Sequence, residues 1–261
     1  MSEAIAPLTV RFVGTGEAFD EERGNVSLLV EGGGRRLLLD CGPTVPWALW
    51  RMRDEPDELD ALYVSHFHGD HLFGVPFLLA RWQTDGRTRP FCLLGQRGTG
   101  ERVEQITRLA YRNVWDHLGF PLEVREVEPG PAVAWGGWTL RAAESRHSQR
   151  NLALRLETGG VALAYSGDGA PTPATAALYR GCDLLVHECY AAHDPPEHHA
   201  SLPVVTALAR EVGARTVALV HLSRELRRTV DSAALGGDRR QTTVTVPRPG
   251  DALPVTRVPG R

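Results

Sequence analysis

One short run of the sequence carries four side chains that are typical metal ligands. The run is Val64-Ser65-His66-Phe67-His68-Gly69-Asp70-His71, and the apolar residues just before it predict a buried strand. Side chains two apart in extended backbone share a face, so His66 and His68 can reach one ion together. Gly69 permits a sharp turn, after which Asp70 and His71 can reach a second position. Packing alone hardly explains three histidines and a carboxylate within six residues, so we interpret the run as a metal site.

Four further polar residues stand at or between apolar segments along the chain. They are Asp40, which ends Arg36 to Asp40; His147, in a polar stretch between two predicted strands; Asp168, after Val161 to Tyr165; and His221, which ends Thr216 to His221. Each is a weak signal alone, because an aspartate after a strand is most often a turn residue. Loops at strand ends nevertheless carry much of the chemistry of rigid scaffolds, which favours a common site.

The apolar patterns elsewhere predict a protein with both strands and helices. Strands are predicted over 8–13, 26–30, 36–40, 61–64, 122–127, 138–142, 152–157, 161–165, 182–187 and 216–221. Helices are predicted over 46–53, 75–82, 101–118 and 203–212, with another between Asp168 and the strand at 182. Periodicity alone therefore indicates an α/β or α+β fold.

Composition limits the organisation and the compartment. With 261 residues, 42% of them hydrophobic, and no linker-like segment, we expect a single domain over 1–261. No apolar run approaches the roughly 18 residues of a membrane span, and Met1 to Ala4 lack the basic start of a signal peptide. The cysteines form no Cys-x-x-Cys pair and are interpreted as reduced thiols. We therefore expect a cytoplasmic protein that has no membrane partner.

The pattern His-x-His-x-Asp-His at 66–71 resembles the signature of the metallo-β-lactamase-fold hydrolases. Asp40, His147, Asp168 and His221 follow that family's order, so the resemblance runs from Gly14-Thr15-Gly16 to His221. It implies an α+β fold, the four-layer αββα sandwich. It also implies two divalent ions, one held by His66, His68 and His147 and the other by Asp70, His71 and His221, with Asp168 as the bridge. Asp40 would then orient a ligand.

Such a centre suits hydrolysis. Two divalent ions about 3.5–4 Å apart can share a hydroxide, lower its pKa toward about 7 and clamp the attacking and leaving oxygens. Imidazole and carboxylate ligands suit zinc, although ligand type does not exclude manganese or iron. We therefore expect a metal-dependent hydrolase in which a metal-bound hydroxide attacks the substrate.

Three further segments resemble the ribonuclease Z branch of this family. They are His187-Glu188-Cys189, His199-Ala200-Ser201 and His221-Leu222-Ser223-Arg224, where Cys189 and Ala200 depart from the branch's alanine and serine. A glutamate beside a histidine can keep that histidine protonated as a general acid for the leaving oxygen. We assign catalytic roles to Asp70, Glu188 and His199. His198 competes with His199 for the acid role, and both could instead form a surface pair.

Two features argue against a tRNA-maturing enzyme. Those enzymes insert a long basic arm between the third and fourth motifs, whereas His147 and Asp168 are only 21 positions apart. The segment Gly42-Pro43-Thr44-Val45 also departs from the corresponding segment of the tRNA enzymes. The net charge of −3 gives no general attraction to polyanions. We therefore expect a small phosphodiester as substrate, such as a cyclic nucleotide or a cyclic sugar phosphate.

Alternatives remain open at the level of sequence. A thioester or lactam hydrolase of the same fold would need no acid at His199, and a metal-containing binding or carrier protein of cofactor biosynthesis would use the same ligands. Relatives in the branch are commonly dimers, and the apolar residues after the metal run exceed the needs of one helix face. These are Leu72, Phe73, Val75, Pro76, Phe77, Leu78 and Leu79. They favour a homodimer, unless they are all buried within the monomer.

Overall fold

A computed structural model describes residues 8–52, 58–230 and 242–257, which form two seven-stranded sheets. The first sheet is built from β1 (Leu8–Gly14), β2 (Ser27–Gly32), β3 (Arg35–Leu39), β4 (Ala61–Val64), β5 (Phe91–Gly95), β6 (Leu122–Glu126) and β14 (Ala252–Val255). Its order is β14-β1-β2-β3-β4-β5-β6. Neighbours are antiparallel from β14 to β3 and parallel from β3 to β6.

The second sheet repeats this plan. It contains β7 (Val133–Trp135), β8 (Trp138–Ser145), β9 (Asn151–Thr158), β10 (Val161–Tyr165), β11 (Leu184–Glu188), β12 (Thr216–Val220) and β13 (Thr243–Thr245) in the order β13-β12-β11-β10-β9-β8-β7. Neighbours are antiparallel from β7 to β10 and parallel from β10 to β13. Each sheet therefore has an antiparallel part joined to a parallel part.

Helices cover the outer face of each sheet. They are α1 (Val45–Met52), α2 (Gly69–Leu72), α3 (Val75–Thr84), α4 (Thr99–Ala110), α5 (Pro173–Tyr179), α6 (Leu202–Glu211) and α7 (Arg224–Thr229). The buried side chains of α1, α3 and α4 share an apolar cluster with the outer face of the first sheet, and those of α5 and α6 do so with the second. A third cluster, which includes Phe12, Leu28, Leu154 and Val186, fills the space between the sheets. This confirms the αββα sandwich.

The predicted elements match the structure apart from two kinds of error. Four strands were not predicted, namely β5, β7, β13 and β14, and one predicted helix is too long. The helix expected over 101–118 ends at Ala110, and a short 3-10 turn, Trp115–His117, follows it. Tyr111 is extended, with φ −143°, and its ring packs edge-on against Phe77 of α3. The chain then turns back so that Arg108 binds both oxygens of Asp116 at 2.6 Å. These tertiary contacts override the local helical pattern. The final residue of the helix expected over 46–53, Arg53, lies outside the described residues.

Within the described part of the chain, no helix is both long enough and apolar enough to cross a membrane.

Candidate metal centre

The polar residues singled out from the sequence meet at one edge of the sandwich, where parallel strands of both sheets end. Asp40 follows β3, the run 65–71 follows β4, Asp168 follows β10, and His221 follows β12. This is the edge at which α/β folds commonly place their ligands. His147 reaches the same place from the loop after β8. The seven predicted ligands therefore come together, four from the first half of the chain and three from the second.

Three histidines form the first group of potential ligands. His66 Nε2 lies 3.0 Å from His68 Nδ1, and His147 Nε2 lies 3.1 Å from the same atom. Nitrogen lone pairs that converge in this way repel one another unless a proton or a cation lies between them. A tetrahedral zinc site, with bonds of about 2.0–2.1 Å, places ligand nitrogens about 3.3 Å apart. The three side chains fit one ion.

A second group of four side chains adjoins the first. His71 Nε2 lies 3.4 Å from Asp70 Oδ2 and 3.3 Å from Asp168 Oδ2. His221 Nε2 lies 3.6 Å and 3.2 Å from the same two oxygens. These separations again suit tetrahedral coordination. Among the described residues, the other oxygen of Asp168, Oδ1, is buried and has no hydrogen-bond partner. That free oxygen is what a bridging role for Asp168 requires.

Asp40 orients the ligands from behind. It is fully buried and adopts φ +59°, in the left-handed region. Its Oδ2 accepts a hydrogen bond of 2.8 Å from His71 Nδ1, which leaves Nε2 of that ring free to coordinate. Two glycines make room for this arrangement: a side chain at Gly42 would collide with the carbonyl of Asp70, and one at Gly167 would collide with Asn151 and Ser65. This explains why the segments after both aspartate-bearing strands contain glycine.

The electrostatics of the centre suit a cation. Burial alone would lower the pKa of His221, but the carboxylates of Asp168 and Asp70 outweigh it and raise that pKa to about 9. Burial is likewise outweighed at His71, where Asp168 and Asp40 raise the pKa well above its ordinary value. In return, the pKa of Asp168 is well below its usual range: burial would raise it, but His221 and His71 have the larger combined effect. Burial lowers the pKa of His66, which favours its neutral, coordinating form.

These pKa shifts predict that metal binding releases protons. At pH 7, below the raised pKa values, His71 and His221 are protonated in the metal-free protein, and both must be neutral to coordinate. We expect release of up to about two protons per chain at pH 7, declining as the pH passes the pKa of about 9 at His221. Apparent affinity should therefore rise from pH 6 to 9. Calorimetry in buffers of different ionisation enthalpy measures the protons, and a pH-independent affinity would contradict this assignment.

A third group lies beside the two ligand clusters. Glu188, fully buried at the end of β11, places Oε1 3.6 Å from His199 Nδ1, an ion-pair distance, and accepts a hydrogen bond of 2.7 Å from the Ala200 amide. The His199 ring lies 5.2 Å from that of His147 and stacks 5.8 Å from that of His221. His198 is placed differently, with Nε2 3.6 Å from the exposed Glu197. The structure therefore brings His199, rather than its neighbour, against Glu188.

Sequence reasoning missed several residues that build the site. Ser65 and Tyr165 both donate hydrogen bonds to Asp40, and Tyr190 packs its ring 4.8 Å from that of His199. Ser65 lies inside the metal run, but a serine beside a histidine carries no distinctive signal. In the sequence, Tyr165 resembles any other residue of a strand, and Tyr190 resembles any residue that follows a strand. Only their contacts with residues distant in sequence identify them.

Comparison with known proteins agrees with this geometry. A protein-family model described as "Anti-Pycsar protein Apyc1" matches residues 8–237. Ribonuclease Z of Methanosarcina acetivorans is 28% identical over 271 aligned positions, covering 83% of this chain and 88% of that protein.

Solved structures share the whole architecture. The metallo-β-lactamase-fold protein YhfI of Bacillus subtilis superposes with a TM-score of 0.76 at 23% identity, covering 95% of this chain and 99% of that one. The short form of human tRNase Z gives a TM-score of 0.77 at 19% identity, with 95% and 100% covered. At these identities the likeness establishes the fold, in agreement with the four layers described above.

Proposed function

The chain belongs to the family of the anti-Pycsar protein Apyc1, within the metallo-β-lactamase-fold hydrolases similar to ribonuclease Z, and from this premise we propose that it is a binuclear phosphodiesterase acting on a small phosphodiester. One observation carries the proposal. His199, backed by a buried carboxylate, lies beside His147 of the first ligand group and His221 of the second. A proton donor at the junction of two cation sites suits a reaction that expels an oxyanion.

The ligand assignment follows the two groups. His66, His68 and His147 would hold one divalent ion, Asp70, His71 and His221 would hold the other, and Asp168 would be the ligand that the two ions share. When bound, such ions neutralise phosphate charge and lower the pKa of a coordinated water. We expect zinc, because the donors are imidazole and carboxylate, with manganese or iron as the alternatives.

Two side chains of the protein would carry out the proton transfers. Asp70 is only partly buried and would hold the second ion through Oδ2, so its other oxygen is the one that can accept the proton of the attacking water. His199, oriented by Glu188, donates a proton to the departing oxygen. The carboxylate of Glu188 is completely removed from solvent and has a second, unpartnered oxygen among the described residues, so water screens its interaction with His199 only weakly.

The size of the substrate is inferred from the interval between His147 and Asp168. Those 21 positions contain β9, β10 and a two-residue turn at Gly159-Gly160, all of which belong to the second sheet. Only residues 148–150 and 166–167 of the interval remain, which are too few to form an RNA-binding arm. The proposed substrate is therefore a phosphodiester that fits at the two ions without further contacts, such as a cyclic nucleotide or a cyclic sugar phosphate.

The experiment is a substrate panel with metal-loaded protein of full length. We expect hydrolysis of bis(p-nitrophenyl) phosphate and of at least one cyclic nucleotide or cyclic sugar phosphate, with poor processing of precursor tRNA. Efficient maturation of tRNA by this chain alone would overturn the inference on substrate size. Turnover of a thioester or a β-lactam without any phosphodiester would identify another hydrolase of the fold, and metal binding with no turnover would indicate a binding or carrier protein.

The proposal extends to a homodimer. Five of the apolar residues suspected of forming an interface (Leu72, Val75, Pro76, Leu78 and Leu79) are buried inside the protomer. An aromatic patch nevertheless remains at the surface, in which the Phe77 ring contacts the rings of Trp47 and Tyr111, and these two residues are 45% and 40% exposed. Clustered exposed aromatic rings are typical of protein interfaces.

We predict that light scattering at micromolar concentration will report a dimer and that Trp47→Asp will convert it to a monomer. Burying an introduced charge against the partner's apolar surface would cost too much for association to persist. Val204→Asp is the matched control, because Val204 is 46% exposed on α6, in the opposite layer of the sandwich. A monomeric parent protein, or equal dissociation of both variants, would remove the patch as the interface.

We also place the protein in the cytoplasm. Cys41, Cys92, Cys182 and Cys189 are all buried free thiols, which accords with a reducing compartment. We propose that residues 1–261 form one hydrolase domain, because residues from both halves of the chain build the single centre.

A further inference from the structure

Tyr165 connects the second sheet to the back of the metal centre. This residue lies at the end of β10, is completely buried, and donates a hydrogen bond of 2.7 Å from its hydroxyl to Asp40 Oδ2. Asp40 belongs to the other half of the chain, after β3 of the first sheet. Burial, together with the neighbouring Asp40 carboxylate, raises the pKa of Tyr165 well above its ordinary value, so the phenol keeps its proton and remains a donor.

The Asp40 carboxylate accepts hydrogen bonds from four donors, and through them it is connected to two potential metal ligands. Oδ1 accepts from the Ser65 amide at 2.7 Å, and Oδ2 accepts from the Ser65 hydroxyl at 2.7 Å, from His71 Nδ1 at 2.8 Å and from Tyr165. An ionised carboxylate can only accept, so His71 must carry its proton on Nδ1. That tautomer presents Nε2 to Asp70 and Asp168.

The Ser65 hydroxyl connects Asp40 to a histidine of the other ligand group. Its single hydrogen is used toward Asp40, so its oxygen can only accept from His66 Nδ1, 3.0 Å away. His66 therefore carries its proton on Nδ1 and presents Nε2 to His68. One carboxylate thus determines the tautomers of a histidine in each group, directly for His71 and through one hydroxyl for His66.

We propose that Tyr165 is a positioning residue of the metal centre, whose phenol holds the Asp40 carboxylate in the orientation that sets the tautomers of His71 and His66. The inference rests on the proposed function only in requiring that ions bind at these two groups. The carboxylate needs such support because it extends from a backbone in the left-handed region, with φ +59°, and the centre lies between two separately built halves. The Tyr165 phenol is the donor that reaches Asp40 from the other half.

The chain contains a matched control for a merely structural role. Tyr63, in β4, is also completely buried and also crosses between the sheets, donating a hydrogen bond of 2.8 Å to the carbonyl of Leu152 in β9. Both hydroxyls therefore make one buried hydrogen bond between the same two layers. Only that of Tyr165 ends on the Asp40 carboxylate, so replacing each tyrosine by phenylalanine separates positioning from cross-sheet stability.

The test is metal binding by the full chain, measured with zinc in competition with a chromogenic chelator. Outer partners of metal ligands typically contribute about 10–100-fold in affinity. We expect Tyr165→Phe to weaken zinc binding by about tenfold, mainly for the ion at His71, and Tyr63→Phe to leave both affinities unchanged at a similar loss of thermal stability. The visible spectrum of the cobalt-substituted protein should change in Tyr165→Phe at full occupancy and remain like that of the parent in Tyr63→Phe.

Ser65→Ala provides a second variant that does not touch the tyrosine. Because it removes the hydroxyl that links Asp40 to His66, we expect it to weaken mainly the ion at His66, His68 and His147. Equal zinc affinities in Tyr165→Phe and Tyr63→Phe, or unchanged affinities in both Tyr165→Phe and Ser65→Ala, would overturn the inference. A parent protein that binds no zinc at either group would instead refute the proposed function.

Discussion

Replacing Asp168 by alanine is expected to leave at most one divalent ion bound per chain and to lower phosphodiester turnover by about 10²–10⁴-fold. Asp168 Oδ2 contacts the ligand nitrogens of both His71 and His221, and its second oxygen is the free buried acceptor of the site. Without this carboxylate the second group keeps only three donors, and the two groups lose their shared ligand. Metal ions contribute several kcal/mol to such reactions, and each 1.36 kcal/mol corresponds to a factor of ten in rate.

Elemental analysis and turnover of bis(p-nitrophenyl) phosphate measure the two effects of Asp168→Ala. Asp183→Ala is a suitable control, because Asp183 is a partly buried aspartate of the same half whose carboxylate accepts a hydrogen bond from the Ala162 amide, away from the centre. It should lose stability without losing metal. Two ions per chain in Asp168→Ala, with turnover like that of the parent, would be incompatible with a bridging carboxylate.

The second large effect concerns His199. If this residue donates the proton to the leaving oxygen, His199→Ala should slow hydrolysis of a diester with a poor leaving group by about 10²–10⁴-fold. Release of p-nitrophenolate, which needs no proton, should be affected far less. Metal content should remain that of the parent, because His199 belongs to neither of the two ligand groups described above. The difference between the two substrates carries the inference, since general loss of metal or folding would slow both alike.

Two further variants test whether His199 is the general acid. Glu188→Gln removes the charge that faces His199 while preserving an acceptor for the Ala200 amide, so it should reproduce part of the selective loss. His198→Ala should have little effect on either substrate, because that side chain faces Glu197. Equal slowing of both substrates by His199→Ala would argue against an acid role. A selective loss in His198→Ala instead would assign the role to the neighbour.

The sequence carries signals for most of the strands and for the seven ligand candidates. Asp40, His66, Asp168 and His221 stand at or just after the ends of apolar runs that are typical of strands. The four layers and the division of the ligands between two ions came from the resemblance to the metallo-β-lactamase-fold hydrolases, because periodicity indicates only an α/β or α+β fold. Local periodicity failed at Tyr111, where contacts with a separate helix ended α4 early.

What could not be predicted depends on contacts between the halves. Tyr165 reads as an apolar strand residue, and its hydroxyl matters only because Asp40 faces it across 125 positions of sequence. Similarly, the choice between His198 and His199 depended on one backbone detail, the positive φ of +76° at His198, which turns the two neighbouring side chains in different directions. No pattern of residue types specifies such a rotation.

The first sheet is completed by a strand from the end of the chain. β7 to β13 form the second sheet as one continuous stretch, whereas β14 follows them in sequence and pairs with β1 in the first sheet. During synthesis, the outer edge of β1 therefore stays unpaired until the last strand has emerged, and an open edge can pair with another chain. The first half therefore cannot complete its sheet by itself. Each metal group also takes ligands from both halves, so both groups are complete only when the whole chain has folded.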